Sequence, residues 1–148
     1  MDNTEQTLEQ FILNKHTFWA EKIKVMNEKF KTIPELQSGL SEIYSLRQDL
    51  EEYHKQVLVK CASLSRDYKK KYAELYNSFK TTSQIKYNSD AAINAQIASA
   101  LADYTYTMDV MSNHSSFIEE SIKTVDSLIF GIKHRIDLEN LMKVGALK

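Results

Sequence analysis

A short stretch of predicted helix, Arg66–Tyr76, concentrates the residue types that bind unpaired nucleic acid. It carries four cations and three tyrosines on about three helical turns. Cations contact phosphates and flat rings stack on bases, so this composition suits a single-strand binder without sequence preference. The competing interpretation is a solvated helix face whose tyrosines, spaced four apart, pack in the core. We therefore expect charge to supply most of any binding, with stacking secondary.

The charge of the whole chain is nearly balanced, but its distribution is not. The formal net charge is −1, yet residues 60–80 carry six bases against two acids, whereas residues 81–130 carry six acids against two bases. Positive charge is therefore local, which indicates a patch for an anionic partner and argues against a wholly basic surface.

Sequence features that mark secretion or membrane insertion are missing from the printed chain. The single cysteine, Cys61, has no partner for an internal disulfide, as is usual in a reducing cytosol. The first five residues are polar and acidic, unlike a signal peptide, and no apolar run has the length of a bilayer span. We expect an intracellular, soluble protein.

Residues that could perform catalysis or bind metal are scattered. No two histidines stand at a metal-binding spacing, no glycine-rich loop is present to hold a nucleotide phosphate, and no serine sits in a nucleophile elbow. We expect neither an enzyme nor a cofactor or metal site. The four histidines are His16, His54, His114 and His134.

Three glycines and one proline leave few places for the chain to turn, so we predict one all-α domain over 1–148. Its N-terminal segment, 1–32, forms a helix from near Thr4 to about Phe30. Eight large apolar residues recur along one face of this helix: Leu8, Phe11, Ile12, Phe18, Trp19, Ile23, Met26 and Phe30.

Two much longer helices follow. The sequence predicts them over 34–79 and 90–145, joined by a polar loop at 80–89 with Ser89 or Asp90 as the helix N-cap. Apolar residues recur at intervals of three or four along both helices. This pattern is typical of a long antiparallel helical hairpin or a coiled-coil-like bundle.

The third predicted helix has two further features. A break is predicted near Gly131 or after Arg135, and apolar residues lie beside the main stripe. The N-terminal helix covers part of this additional apolar surface, and we expect another subunit to cover the rest. The predicted fold is therefore oligomeric.

Three segments of the chain resemble the UvsY-type recombination mediators of T-even-like phages. The first, Ile33–Tyr44, is similar to the family's entry into its long helix. The second, Lys69–Tyr72, resembles its basic–aromatic run, and the third, Phe130–Ile136, resembles its C-terminal close. The matching residues in the first and third segments are Ile33, Pro34, Leu36, Ser38, Ile43, Tyr44, Phe130, Ile132, Lys133 and Ile136.

The resemblance implies a recombination mediator in the cytoplasm of an infected bacterial host. Such a protein binds single-stranded DNA and promotes loading of a RecA-like phage recombinase onto strands covered by single-strand-binding protein. The residues expected to bind single-stranded DNA are Arg66, Lys69, Lys70, Lys71 and Tyr72.

The resemblance also implies a ring-like homo-oligomer of roughly six or seven subunits. A ring presents many copies of a weak patch and so binds a strand tightly. The residues expected to pack subunits together are Phe130, Ile132, Ile136 and Leu141.

Two other functions compete with this interpretation. A structural or adaptor coiled coil would bind only protein and would ignore DNA at moderate salt. A peripheral membrane module would use the lysine cluster to contact anionic lipid, but the sequence lacks an exposed apolar insertion segment. DNA gel shift and liposome flotation distinguish the three functions.

Overall fold

The structure, a computed structural model, describes residues 7–81 and 89–146. All regular secondary structure in these two ranges is helical, which confirms the all-α prediction. The four helices in chain order are α1 (Leu8–Lys29), α2 (Ile33–Thr81), α3 (Asp90–Ala100) and α4 (Ala102–Gly145).

Helix α1 begins with a side-chain cap. Thr7 is the N-cap, and its Oγ1 accepts a hydrogen bond from the backbone N–H of Gln10 at 3.3 Å. The predicted start near Thr4 lies outside the described residues. At the other end, Phe30 leaves helical geometry with φ −105° and ψ 93°, so the predicted end is confirmed to within one residue.

Helix α2 begins at a cap supplied by the Glu35 side chain, next to the helix's only proline. The Glu35 carboxylate accepts hydrogen bonds from the backbone N–H groups of Thr32 at 2.9 Å and Lys31 at 3.2 Å. These bonds stabilise the charged carboxylate and lower the pKa of Glu35. Pro34 lies in the first turn, where a missing N–H costs nothing.

The end of α2 corrects the predicted loop over 80–89. Lys80 and Thr81 are helical, and Thr81 Oγ1 donates to the carbonyl of Asn77 at 2.6 Å. The side chain therefore stabilises the last turn instead of starting a loop. Residues 82–88 of the predicted loop lie outside the description. Ser89 is the N-cap of α3, as predicted.

The prediction of one helix over 90–145 is wrong in one respect. The segment forms two helices, which are separated at Leu101. Leu101 has φ −105° and ψ 14°, which departs from helical ψ for a single residue. The backbone N–H of Leu101 still donates to Ile97 and that of Thr105 to Leu101, each at 2.9 Å. The interruption is thus a local turn in which buried Leu101 packs with α3.

The break predicted near Gly131 or after Arg135 is also wrong. Helix α4 continues through both residues to Gly145. A glycine inside a helix lowers its stability but does not end it when the surrounding turns remain hydrogen-bonded.

The described residues group into two compact units. Unit 1 comprises residues 1–55 together with 116–148, and unit 2 comprises residues 56–115. The prediction of one domain over 1–148 is not tested by this grouping and stays a prediction.

Unit 1 contains α1, the first part of α2 and the last part of α4. Arg47 of α2 forms an ion pair with Asp126 of α4, and Arg135 Nη2 donates to the carbonyl of Lys31 at 3.3 Å. Early residues thus meet late ones, so the two segments are antiparallel. The buried core residues are Trp19, Phe30, Leu36, Ile43, Leu46, Leu50, Ile118, Val125, Ile129 and Ile132.

Not every apolar residue of α1 enters this core. Ile12 and Trp19 are buried, but Phe11 is 43% exposed and Phe18 is 44% exposed. The Nζ of Lys15 lies 5.7 Å from the centroid of each of these two rings. The predicted apolar face is therefore wider than the core, and its edge is an aromatic surface beside lysines.

Unit 2 has a smaller apolar cluster. Ile93, Ile97 and Leu101 are its buried members, and the partly buried residues around it are mostly tyrosines. Helix α4 contributes His114 to the same unit, only 1% exposed.

Candidate nucleic-acid interface

The predicted basic residues lie on the part of α2 that belongs to unit 2. At about 100° per residue, Arg66, Lys69 and Lys70 fall within an arc of about 100° on the outer side of the helix. Lys71 points about 140° away from Arg66 by the same geometry. The three lysines fan out as predicted, and the structure separates Lys71 from the other cations.

The cations on the outer arc are largely free of internal partners. Lys69 and Lys70 are exposed, and no ion pair involves either within the described ranges. The side chain of Arg66 is 73% exposed and meets only its neighbour Asp67, at 3.4 Å. An exposed pair of this kind is worth little, so these three cations can exchange solvent counterions for phosphate.

Lys71 has a different environment. Its Nζ lies 5.6 Å from the centroid of the Tyr104 ring, a cation–π distance. The contact links α2 to α4 inside unit 2. Replacing Lys71 would therefore change packing as well as charge, and it is a poor first choice for a binding test.

Tyr72 is held in place by contacts within unit 2. Its hydroxyl donates to Asn94 Oδ1 of α3 at 2.6 Å, and its ring stacks on Tyr76 with centroids 6.4 Å apart. The ring also packs against the cluster of Ile93 and Ile97. Of the two interpretations of this tyrosine, core packing is observed, and stacking on a base stays a prediction.

Lys80 adds a fifth cation near the end of α2 but contacts acceptors within the chain. Its Nζ donates to the Tyr76 hydroxyl at 3.1 Å and lies 3.7 Å from Asp90 Oδ1. These contacts raise the pKa of Lys80, first through the tyrosine hydrogen bond and then through the carboxylate. This ammonium stabilises the junction between α2 and α3 and is less available to an outside anion than Lys69 or Lys70.

The four predicted subunit contacts do not share one environment. Phe130 is 73% exposed and Leu141 is 68% exposed. Ile132 is buried in the core of its own unit, and Ile136 packs against the same core. Of these four residues, Phe130 and Leu141 present their side chains to solvent, whereas the 3.6-residue period turns Ile132 and Ile136 inward. The role of the four residues in subunit contacts stays a prediction.

Neither a metal site nor a membrane-spanning helix is found among the described residues. No cluster of three or more histidine, cysteine, aspartate or glutamate side chains there is arranged to hold a metal ion. Within the same residues, no helix combines the length and apolar character needed to cross a membrane.

The thiol of half-buried Cys61 has its pKa raised by burial, which lowers its reactivity at neutral pH.

Three comparisons of the chain with known proteins found no match. No family model, no curated protein and no solved structure matches it. The likeness to UvsY-type mediators therefore remains a resemblance carried by the three sequence segments alone.

Proposed function

We propose that this protein binds single-stranded DNA through the outer arc of α2 and acts as a recombination mediator. In this role it would promote loading of a RecA-like recombinase onto strands covered by single-strand-binding protein. The DNA-binding part rests on the exposed cations, and the recombinase part rests on the sequence resemblance. ATP hydrolysis would be carried out by the recombinase.

The observation that carries the proposal is the clustering of two exposed lysines without an ion pair, Lys69 and Lys70, beside exposed Arg66 on one arc of α2. Lys29, Arg47, Lys80 and Lys123 each meet a carboxylate, at distances up to 3.7 Å. Lys69 and Lys70 do not meet one among the described residues. A cluster of unpaired charge is what phosphate binding through counterion release requires.

One copy of this arc makes about three phosphate contacts, which is weak binding. Repetition of the arc in a homo-oligomer would raise the effective concentration of sites and hold a strand without sequence preference. Phe130 and Leu141 would pack subunits in such an assembly, since both are exposed and apolar. A ring-like arrangement is what the resemblance implies.

Fluorescence anisotropy on a labelled oligothymidine tests the DNA-binding surface. Three phosphate contacts per subunit predict a salt slope of about −2 for each engaged copy. Changing Lys69 and Lys70 together to Ala should flatten the slope by about 1.4 per copy and leave the helical circular dichroism unchanged. The matched control changes Lys24 and Lys55 to Ala, which removes the same charge from exposed positions of unit 1.

The proposal for this arc fails if the two double variants have the same slope, or if the wild type ignores oligothymidine at low salt. Assembly is tested separately by sedimentation of Phe130→Asp and Leu141→Asp. A smaller particle is expected for each variant. Ile132→Asp is unsuitable for this purpose, because a charge in the core of unit 1 would unfold it.

One observation favours a second function, a protein-binding adaptor without affinity for DNA. The C-terminal part of α4 exposes five large apolar side chains, more than a monomer usually leaves in one segment. An adaptor predicts assembly through this segment together with no response to oligothymidine. The side chains are Phe130, Leu138, Leu141, Met142 and Val144.

A further inference from the structure

A groove between α1 and α2 in unit 1 combines an apolar floor with an acidic rim. Phe18 and Val25 of α1, 44% and 56% exposed, form the floor together with buried Leu46 of α2. The carboxylates on its rim belong to Glu21, Glu42 and Asp49. This α1–α2 groove belongs to neither the basic arc nor the exposed C-terminal segment of α4.

The charges of the groove are not cancelled within the chain. Glu42 pairs with Lys29 at 2.8 Å, but no ion pair involves Glu21 or Asp49 among the described residues. The ammonium in the lining, that of Lys22, lies 4.6 Å from the centroid of Phe18, and Lys15, outside the lining, lies 5.7 Å from the same ring. The lining itself holds three carboxylates against one ammonium, so it keeps a surplus of negative charge beside exposed apolar surface.

This combination selects the kind of partner. A nucleic acid or an anionic lipid surface would meet like charge here, which is unfavourable. A helix with apolar residues on one face and lysines or arginines beside them would bury Phe18 and Val25 and pair with the free carboxylates. A groove between two neighbouring helices can bind a third helix, as in helix-in-groove recognition.

We infer that the α1–α2 groove is a docking site for a basic amphipathic helix of a partner protein. The apolar floor supplies affinity, and Glu21 and Asp49 supply specificity for cationic side chains. This function is separate from DNA binding, since the two surfaces have opposite charge and lie in different units.

A designed helical peptide with leucines on one face and flanking lysines tests the inference on the full chain. The peptide carries fluorescein, and binding is read by anisotropy. Glu21→Gln combined with Asp49→Asn should raise its Kd at least about fivefold, and Val25→Asp should raise it about tenfold. Because Val25 is already half exposed, circular dichroism should show that this variant keeps its fold.

Two controls fix the meaning of the result. Glu28→Gln combined with Asp137→Asn removes the same charges from exposed positions outside the groove, and Kd should stay within about twofold. A peptide with glutamates in place of the lysines should not bind. Oligothymidine affinity should not fall in the groove variants, which separates this inference from the proposed DNA function.

Three results would overturn the inference: absence of lysine-peptide binding, equal weakening by the control pair, or equal binding of the glutamate peptide. A second copy of the chain is the other possible occupant. If Glu21→Lys combined with Asp49→Lys reduces the particle size in sedimentation, the groove belongs to self-assembly and the partner-helix proposal is wrong.

Discussion

Unit 1 and unit 2 bury different kinds of side chain and treat their charges differently. Among the described residues, unit 1 has ten buried members in its core cluster, whereas the cluster of unit 2 has three, bordered by tyrosines. Both units pair some cations with carboxylates, Lys29 and Arg47 in unit 1 and Lys80 in unit 2, but unit 2 also gathers exposed Lys69 and Lys70, which have no ion pair among the described residues, on one arc of α2. The difference in buried residues indicates that unit 1 supplies most of the stability, and the proposed function assigns the exposed arc of unit 2 to a ligand.

The largest effect is expected in the core of unit 1. Ile43 is fully buried, so Ile43→Ala should lower the free energy of unfolding by about 2–4 kcal/mol through lost burial and a residual cavity. Urea denaturation measures the change. Val59→Ala, at a site that is 70% exposed, is the control and should change stability by less than about 0.5 kcal/mol.

Ile97→Ala makes the corresponding change in unit 2, at a residue that is equally buried. With few other buried residues to hold α3, the expected result is local opening of residues 90–100, not only global destabilisation. Hydrogen exchange of these amides should accelerate while that of α1 stays slow. Equal acceleration in α1 and α3 would show that the two clusters unfold together and would remove the contrast between the units.

Substitution of two glycines inside the helices of unit 1, Gly39 and Gly131, should change stability with opposite sign. A Cβ at Gly39 would overlap the Phe30 ring, whereas a Cβ at Gly131 meets no atom within 4 Å. Gly39→Ala should therefore destabilise the protein by about 1–2 kcal/mol, and Gly131→Ala should stabilise it by about 0.5–1 kcal/mol. Thermal unfolding followed by circular dichroism compares them; a gain in Tm for both would contradict the close packing of Phe30.

Tyr72→Phe tests whether the tyrosines of unit 2 are structural. The variant removes the hydroxyl that donates to Asn94 and keeps the ring. We expect a loss of about 1 kcal/mol in unfolding free energy, and an unchanged salt slope for oligothymidine. Weaker oligothymidine binding at every salt concentration, with unchanged stability, would instead place the hydroxyl in contact with DNA.

The smallest effect concerns the start of α2. The pKa of Glu35 is lowered in the folded state by hydrogen bonds from Thr32 and Lys31. A lowered pKa stabilises the fold at pH above the unfolded value of about 4.3, and this contribution disappears as pH falls through the folded pKa. The difference in Tm between wild type and Glu35→Gln should therefore be largest near neutral pH and shrink in acid. A difference independent of pH would contradict the role of the charged carboxylate.

The periodicity of apolar residues predicts much of the fold correctly. Pro34 and Ser89 locate two helix starts because each has a specific backbone role. The interruption at Leu101 leaves no such signal, since neither glycine nor proline is nearby and only one ψ angle changes. The break predicted near Gly131 is wrong for the converse reason. The sequence signal is present there, but a glycine does not end a helix that packs well.

Side-chain environments were harder to predict than helices. The sequence locates the basic cluster, but it cannot show that Lys71 faces Tyr104 while Lys69 and Lys70 remain free. Ile132 looks like Phe130 in an apolar list, yet tertiary packing buries the first and exposes the second. These differences depend on which helix lies opposite each residue, and local propensity carries no information on that.

Unit 1 is formed by two segments that lie far apart in the sequence. This separation affects the order in which the protein folds during its synthesis. Its ion pair between Arg47 and Asp126 spans 79 positions, and the hydrogen bond from Arg135 to Lys31 spans 104. The described residues of unit 2 come from one contiguous part of the chain, so contacts among them can form before residues after 116 are synthesised. The nascent N-terminal segment must wait with its apolar faces uncovered until residues after 116 are synthesised, and chaperone binding during translation should concentrate there.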